Sequence, residues 1–296
     1  MGKIIEFKNV FKSYGKKKVL EKVSFSLDEG QFITMIGCNG AGKSTTLRIM
    51  AGVDEVQQGD VSVMGKTPFN FNYPHRSDIF FIHENIEFTS THTLLEMAKI
   101  YRTVFPRWDN KVFNNCVKAR KISLKKHYAE LSRGQKMQFL LMLGLAANPK
   151  MLLLDEITAV IDIEGQRYFL DLLKDYSSRG GTVVITTNIL SELNDYTDHL
   201  LLLQETSVMV NSRVSELQKQ FIVLKQTEDH SIFEHPKAAK LRKDNDGRFL
   251  YLIPRDIMDE DTAIIKFKMD YPPRLEDILV LHFKLREGGA DEELVA

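Results

Sequence analysis

The clearest chemical pattern in the chain is a glycine-rich segment, Gly37-Cys38-Asn39-Gly40-Ala41-Gly42-Lys43-Ser44. It fits the phosphate-loop pattern at every required position and lies between an apolar run at 32–36 and a helical pattern at 44–50. Glycines allow backbone amides to approach phosphate oxygens, and the N-terminus of the following helix adds free N–H donors and a favourable dipole. Lys43 can reach the β- and γ-phosphates, and the Ser44 hydroxyl can ligate Mg²⁺. The segment therefore predicts a phosphate-binding site.

Two adjacent carboxylates follow a second apolar run, in Leu152-Leu153-Leu154-Asp155-Glu156. An apolar run followed by Asp-Glu is common in isolation. In a chain with a phosphate loop the same pattern is stronger evidence for a functional site, because buried charge is costly unless a ligand or partner compensates it. We expect Asp155 to bind Mg²⁺ through water and Glu156 to polarise the attacking water.

A third motif, Leu131-Ser132-Arg133-Gly134-Gln135, lies between the first two. In this order the three motifs resemble the nucleotide-binding domain of ATP-binding-cassette (ABC) proteins, whose signature begins Leu-Ser-Gly-Gly-Gln. The resemblance implies that ATP binds the loop from Gly37 to Thr45. It also implies that Ser132 and Gly134, with Gln135 beside them, contact the γ-phosphate held by the opposite subunit. Complete active sites would then exist only in a dimer.

Further positions of the family pattern can be placed on this sequence. Tyr14 matches the aromatic residue that stacks on adenine, although a lone tyrosine could also be purely structural. Glu84, in Ile82-His83-Glu84, occupies the position of the Gln that contacts Mg²⁺ and water and faces the transmembrane partner. Asp162 matches the loop that crosses the dimer interface.

The largest departure from the family is at Asn188, in Ile185-Thr186-Thr187-Asn188. The family has a His at this position, where it hydrogen-bonds the γ-phosphate. Asn can donate one such bond but cannot carry a positive charge. We therefore expect Asn188 to act in catalysis with Lys43 and Glu156, and to make hydrolysis slow without abolishing ATP binding.

These residues need a sheet whose strand ends meet at one edge. Apolar runs at 32–36, 151–154 and 182–186 predict strands buried on both faces, whereas 4–10 and 23–27 alternate, as in a half-exposed antiparallel sheet. The pattern from 94 to 147 is helical, with breaks at Pro106 and at 132–134. With the resemblance, this predicts an α/β fold: a P-loop ABC ATPase cassette at 1–205. Its parts are a RecA-like core, an antiparallel β subdomain and an α-helical signature subdomain at about 86–147.

The C-terminal accessory region, 206–296, predicts a small α+β appendage. Its expected strands are 221–224, 248–253 and 263–269, and the charged stretch 240–248 is expected to be a solvated loop. An amphipathic helix is expected after Pro272-Pro273. Its apolar face consists of Leu275, Ile278, Leu279, His282 and Phe283.

Composition excludes several classes of protein. The 296 residues are 43% hydrophobic and 27% charged, as in ordinary globular proteins. The 40 basic residues balance 40 acidic ones, so we expect no nucleic-acid partner. Two cysteines cannot form a disulfide framework, which indicates a reducing compartment. Residues 1–8 do not suggest a signal peptide, and the longest apolar stretch, 139–147, is too short to span a bilayer. Composition thus leaves a cytosolic protein, and the resemblance implies a peripheral position at the cytoplasmic face of the plasma (inner) membrane.

A narrower resemblance involves 105–109 and 273–277, which are similar to a bacterial subgroup of ATPase subunits. That subgroup serves ABC-2-type exporters of drugs, antimicrobial peptides and peptide toxins. It implies an ATP- and Mg²⁺-dependent ATPase that forms a homo- or heterodimer on a separate transmembrane permease. Two alternatives stay open: a non-transport ABC protein of translation or DNA repair, and a binding-only regulatory cassette. The first normally has two cassettes or long coiled coils, neither of which this sequence has. The second is suggested by Asn188 but opposed by an intact Glu156.

Overall fold

The computed structural model describes residues 2–70, 75–83, 86, 88, 91–225, 233, 235–244, 246–257 and 273–279. Within these ranges the strands are β1 (Lys3–Tyr14), β2 (Lys17–Asp28), β3 (Phe32–Ile36), β4 (Gln58–Val63), β5 (Ile79–His83), β6 (Met151–Asp155), β7 (Thr182–Thr187), β8 (His199–Gln204), β9 (Ser207–Arg213), β10 (Phe221–Lys225), β11 (Ala239–Lys243) and β12 (Phe249–Pro254). The helices there are α1 (Lys43–Met50), α2 (Leu94–Val104), α3 (Asn110–Arg120), α4 (Arg133–Ala147), α5 (Ile163–Ser178) and α6 (Val214–Lys219).

The chain divides into two compact units. The first contains Met1–Ile189 and Tyr196–Asn211, and the second contains Leu190–Asp195 and Ser212–Ala296. The segment Leu190–Asp195, which lies between β7 and β8, therefore belongs to the second unit although it lies inside the predicted 1–205 domain.

The first unit is built around a six-stranded sheet in the order β5-β6-β7-β3-β8-β9. Strands β5, β6, β7, β3 and β8 run parallel to one another. All residues of β3 and β7 are buried, as are the first four of β6. The three apolar runs are therefore adjacent strands buried on both faces, as their sequences predict. Because they are parallel, their carboxyl ends lie at the same edge, where β3 leads into the phosphate loop and β6 ends at Asp155.

A second, antiparallel sheet has the order β2-β1-β4. Its two long strands confirm the alternating pattern seen in the sequence, and β4 is an addition that the pattern did not predict. Its apolar face shares a core with the parallel sheet, through residues such as Phe7, Leu47 and Leu201. The core therefore lies between the two sheets and surrounds α1.

Three helices, α2, α3 and α4, fill the predicted helical region. Pro106 ends α2, because the residue before a proline is disfavoured in the helical conformation, and Asp109 then caps α3 by accepting from the amides of Lys111 (2.7 Å) and Val112 (3.1 Å). The Trp108 ring packs on Phe113, 5.4 Å between centroids. The segment 105–109 is thus a helix-to-helix joint.

Arg107 fixes this joint from outside by donating to Asp78 at 2.7 Å and to the Asn148 carbonyl at 2.9 Å.

A bilayer-spanning helix needs about 20 apolar residues, and none of the helices in the described ranges meets that requirement.

The second unit contains α6 and an antiparallel sheet in the order β10-β12-β11. Strands β10 and β12 confirm the expectations for 221–224 and 248–253. The expectation of a solvated loop at 240–248 was wrong for its first part. Lys240 belongs to β11, and its ammonium group lies 3.7 Å from the centre of the Phe249 ring, which offsets the low strand propensity of its charged sequence.

The predicted helix of the appendage is described at residues 275–279, where Leu275, Ile278 and Leu279 are buried. The expected strand at 263–269, and the helix positions His282 and Phe283, lie outside the described residues.

Candidate functional site

The phosphate loop connects β3 to α1, and two of its glycines are required by close contacts. A Cβ on Gly37 would lie 2.2 Å from the carbonyl oxygen of Leu203 on β8. Gly42 has a φ of +99° and precedes the first helical residue, where a Cβ would lie 2.7 Å from the Leu20 side chain. The backbone can therefore take this path only with glycine at both positions. The path leads directly to the N-terminus of α1, where free amides and the helix dipole favour phosphate.

Lys43 lies at that N-terminus and is almost fully buried, with 4% of its side chain exposed. Its ammonium group donates to the carbonyls of Gly37 (2.7 Å) and Cys38 (3.3 Å), and lies 3.7 Å from the Glu156 carboxylate. Burial lowers the pKa of Lys43, while the nearby Glu156 raises it and so opposes that shift. A buried cation surrounded by loop carbonyls and a carboxylate can exchange these partners for phosphate oxygens.

A hydroxyl and a carboxylate meet beside the lysine. Ser44 donates to Asp155 at 3.1 Å, and Thr186 donates to the same carboxylate oxygen at 2.6 Å. Hydroxyl and carboxylate oxygens are the ligands that Mg²⁺ prefers in proteins, and Mg²⁺ usually takes only one or two of them together with substrate phosphates. Ser44 and Asp155 therefore fit a Mg²⁺ site. Glu84, the third residue proposed for the metal, lies outside the described residues.

Glu156 follows Asp155 with a backbone φ of +50°, in the left-handed region. Few non-glycine residues adopt this conformation, and it is held here by the Glu156 amide, which donates to the Thr186 hydroxyl at 3.0 Å. One buried threonine thus fixes both acidic residues. Sequence reasoning missed Thr186, although its place at the end of a neighbouring buried strand was a usable signal.

Asn188 follows β7 and connects to the phosphate loop through both ends of its amide. Its Oδ1 accepts from Lys43 at 2.7 Å, and its Nδ2 donates to Asn39 Oδ1 at 3.0 Å. The phosphate-loop residues, the two acidic residues and Asn188 are therefore one connected group. Of the other loop positions, Ala41 and Thr45 are buried, and Cys38, Asn39 and Gly40 are exposed.

Tyr14 stands at the end of β1 with 47% of its surface exposed. Its hydroxyl donates to the Asp54 carboxylate, which is also held by Arg48 of α1. The Tyr14 side chain is thus partly accessible, while its hydroxyl is held by Asp54, which Arg48 connects to α1.

The signature residues form a second, separate group. Ser132 caps α4, and it exchanges hydrogen bonds with Gln135: the Gln135 amide donates to Ser132 Oγ (3.3 Å), and the Ser132 amide donates to Gln135 Oε1 (3.2 Å). A Cβ on Gly134 would lie 2.7 Å from the Val160 carbonyl oxygen. Gly134 therefore brings the start of α4 against the segment that leads to Asp162.

Asp162 caps α5 and is held from three sides. Its carboxylate accepts from the Gly165 amide (2.8 Å), from Arg120 (3.0 Å) and from Gln138 (3.0 Å). The Gly165 amide, helped by the Arg120 charge, lowers the pKa of Asp162. Arg120 and Gln138 were not identified from the sequence, because nothing in it brings α3, α4 and α5 together. The group borders a cavity of about 400 Å³ lined by Arg120, Ser132, Gly134, Gln135, Gln138, Val160 and Asp162.

Residues 20–159 match the family described as ABC transporter. The zinc uptake system ATP-binding protein ZurA of Listeria monocytogenes is 30% identical over 217 residues, which cover 68% of this chain and 82% of that protein. The Nod factor export ATP-binding protein I of Rhizobium johnstonii is 26% identical over 291 residues, which cover 93% of each chain.

Among solved structures, the dimeric structure of MJ0796, a bacterial ABC transporter cassette, matches with a TM-score of 0.61 and 25% identity. The match covers 71% of this chain and 98% of that one. The predicted fold class, a P-loop ABC cassette, is therefore confirmed. By its sequence and its fold, this chain belongs to the ABC transporter family, as an ATP-binding subunit.

Proposed function

We propose that this chain is a Mg²⁺-dependent ATPase that powers export through a separate transmembrane permease. One observation carries the proposal: Lys43, Ser44, Asp155 and Glu156 form a connected group at the carboxyl edge of β3 and β6, where a triphosphate on the loop from Gly37 would lie. Open α/β sheets bind their ligands at this edge.

Each residue of the group has a distinct task in hydrolysis. Lys43 donates charge-assisted hydrogen bonds to the β- and γ-phosphates, and Ser44 and Asp155 hold Mg²⁺, which when bound neutralises charge on the phosphate oxygens. Glu156 orients the attacking water and accepts hydrogen bonds from it. Its left-handed backbone is fixed by Thr186, and its carboxylate lies 3.7 Å from the Lys43 ammonium group, beside the phosphate loop.

The signature group supports a dimeric mechanism. Ser132 and Gln135 hydrogen-bond each other, and Asp162 accepts hydrogen bonds from Arg120 of α3 and Gly165 of α5. The phosphate loop has other partners, since its side chains bond to Asp155 and Asn188. The serine hydroxyl and the amides at the start of α4 are suited to bind an anion supplied from outside. We infer that they complete the ATP site of a second cassette subunit, as the dimeric state of MJ0796 suggests.

The share of this chain that aligns with each of the two relatives favours export over uptake. The zinc uptake relative aligns with 68% of this chain, whereas the Nod factor export relative aligns with 93%, which includes most of the second unit. The resemblance of 105–109 and 273–277 to ABC-2-type subunits adds drugs, antimicrobial peptides or peptide toxins as the exported class. The chain would then sit at the cytoplasmic face of the membrane, against its permease.

Thermal stabilisation of the full chain by Mg-ATP tests the ATP-binding step on which the enzymatic part depends. Lys43→Ala should abolish ATP-dependent stabilisation of the fold, and Lys16→Ala, at an exposed lysine of the β1–β2 turn, should leave it unchanged. A wild-type melting curve that millimolar Mg-ATP does not shift would refute the ATPase assignment.

Inverted membrane vesicles that contain the chain and its permease test the direction. An exporter should accumulate a labelled amphipathic peptide inside these vesicles when ATP is added outside. Accumulation only in right-side-out vesicles loaded with ATP would show uptake, and would overturn the export proposal while leaving the ATPase assignment intact.

A further inference from the structure

The two ends of α1 serve two different parts of the ATP site. Its first residue, Lys43, belongs to the phosphate loop, and its last turn contains Arg48. Arg48 donates to both oxygens of Asp54, at 2.9 and 3.1 Å, and Asp54 in turn accepts from the Tyr14 hydroxyl. A chain of contacts therefore runs from the phosphate loop through α1 to the tyrosine assigned to adenine.

Asp54 is fixed through its backbone as well as its carboxylate. Gly52, with a φ of +70°, ends the helix, and the amides of Val53 (2.8 Å) and Asp54 (3.2 Å) turn back to the Arg48 carbonyl. Arg48 thus binds Asp54 twice: its carbonyl accepts from the Asp54 amide, and its guanidinium donates to the Asp54 carboxylate. The hydrogen bond from Arg48 lowers the pKa of Asp54, so the carboxylate is ionised at neutral pH, and only 12% of it is exposed.

Tyr14 lies at the surface, and its hydroxyl is close to the side chains of Arg48 and Thr45 as well as to Asp54. It is the last residue of β1, beside the turn at Gly15, and its ring is about half exposed. Lys12 places its ammonium group 5.1 Å from the ring centre and anchors that group on the Glu55 carbonyl at 2.5 Å. The hydroxyl bond to Asp54 differs from these contacts because its acceptor is a carboxylate that two hydrogen bonds from Arg48 hold in place.

We propose that Asp54, clamped by Arg48, is a positioning residue that holds the Tyr14 ring in the orientation in which it stacks on adenine. The proposal rests on the assignment of Tyr14 as the adenine platform. An aromatic ring that is already oriented does not lose rotamer freedom when the base binds, so more of the stacking energy appears as affinity. Because Asp54 is attached to α1, the platform also keeps a constant distance from the phosphate loop.

The expected effects are specific to the base. Loss of base stacking lowers affinity roughly 5- to 150-fold, so Tyr14→Ala should weaken ATP binding within that range. The cost of ordering one side chain corresponds to about 2- to 12-fold in affinity. Asp54→Ala and Tyr14→Phe should each weaken ATP binding by this smaller factor. Inorganic tripolyphosphate has no base, so its affinity should not change in any of these variants.

The experiment measures the binding of ATP and of tripolyphosphate to the full chain by calorimetry. The variants are Tyr14→Ala, Tyr14→Phe, Asp54→Ala and the double variant Tyr14→Phe/Asp54→Ala. Asp60→Ala, at an exposed carboxylate of β4, is the matched control and should bind both ligands like the wild type. The double variant should be no weaker than either single variant, because both remove the same hydrogen bond.

Several results would overturn the proposal. If Asp54→Ala and Tyr14→Phe bound ATP like the wild type while Tyr14→Ala did not, the hydroxyl contact would be unnecessary. Equal losses for ATP and tripolyphosphate would mean that Asp54 acts through the phosphate loop. Additive losses in the double variant would mean that the two residues act independently. Tyr14→Phe keeps the test valid if Asp54→Ala does not fold, and a wild-type chain that binds neither ligand would instead refute ATP binding itself.

Discussion

Replacement of Asn188 by histidine should raise the rate of ATP hydrolysis. In the structure the Asn188 amide accepts from Lys43 at 2.7 Å and donates to Asn39 at 3.0 Å, so its single NH₂ group is the only donor it can offer a γ-phosphate. Loss of one such transition-state donor costs about 2.7–4 kcal/mol. Asn188 keeps a donor but has no charge, so we expect the deficit to be a fraction of this, about 1.4 kcal/mol or tenfold in kcat.

Steady-state ATPase assays of the full chain, alone and with the permease, measure this effect. Asn188→His should raise kcat about tenfold with KM unchanged, because the new interaction is made only in the transition state. Asn188→Ala removes the donor and should lower kcat by about 10²- to 10³-fold, which makes it the matched control. A kcat for Asn188→His equal to or below that of the wild type, with ATP affinity intact, would refute this reasoning.

Three other changes have defined outcomes. Glu156→Gln should trap an ATP-bound dimer in gel filtration, because it removes the group that orients water and keeps the pocket's shape; a monomer in ATP would contradict the dimer mechanism. Gly37→Ala should lower the free energy of unfolding by about 1–3 kcal/mol, since its Cβ would lie 2.2 Å from a β8 carbonyl oxygen; Gly2→Ala, with no contact under 3.7 Å, is the control. Burial alone would raise the pKa of Asp78, but hydrogen bonds from Lys150 and Arg107 lower it. The stability that this carboxylate contributes should be complete above pH about 4 and lost as the pH falls further, so urea unfolding of wild type and Asp78→Asn should differ at pH 7 and converge near pH 2.

The local pattern of apolar residues and glycines was sufficient to predict the central strands and the phosphate loop. The runs at 32–36, 151–154 and 182–186 are apolar without alternation, and they form adjacent strands of a parallel sheet because only strands covered on both faces tolerate such runs. The phosphate loop is readable for a similar reason, since a phosphate-binding turn needs glycines and a lysine at fixed spacing. The family follows from the order of three such motifs.

Tertiary structure decided the contacts between residues that are distant in the chain. Thr186 fixes both Asp155 and Glu156, Arg120 holds Asp162, and Asp54 anchors Tyr14, yet none of these three partners has a spacing that indicates its role. Such hydrogen bonds depend on which strands and helices become neighbours. The same applies to residues 240–243, whose charges favoured a loop in the sequence. In the structure they form a strand, because pairing with β12 provides backbone hydrogen bonds and places an aromatic ring beside Lys240. The sequence by itself determined which backbone segments could form the site, because glycine spacing and apolar runs act locally, whereas only the packed chain determined which side chains orient the reacting groups.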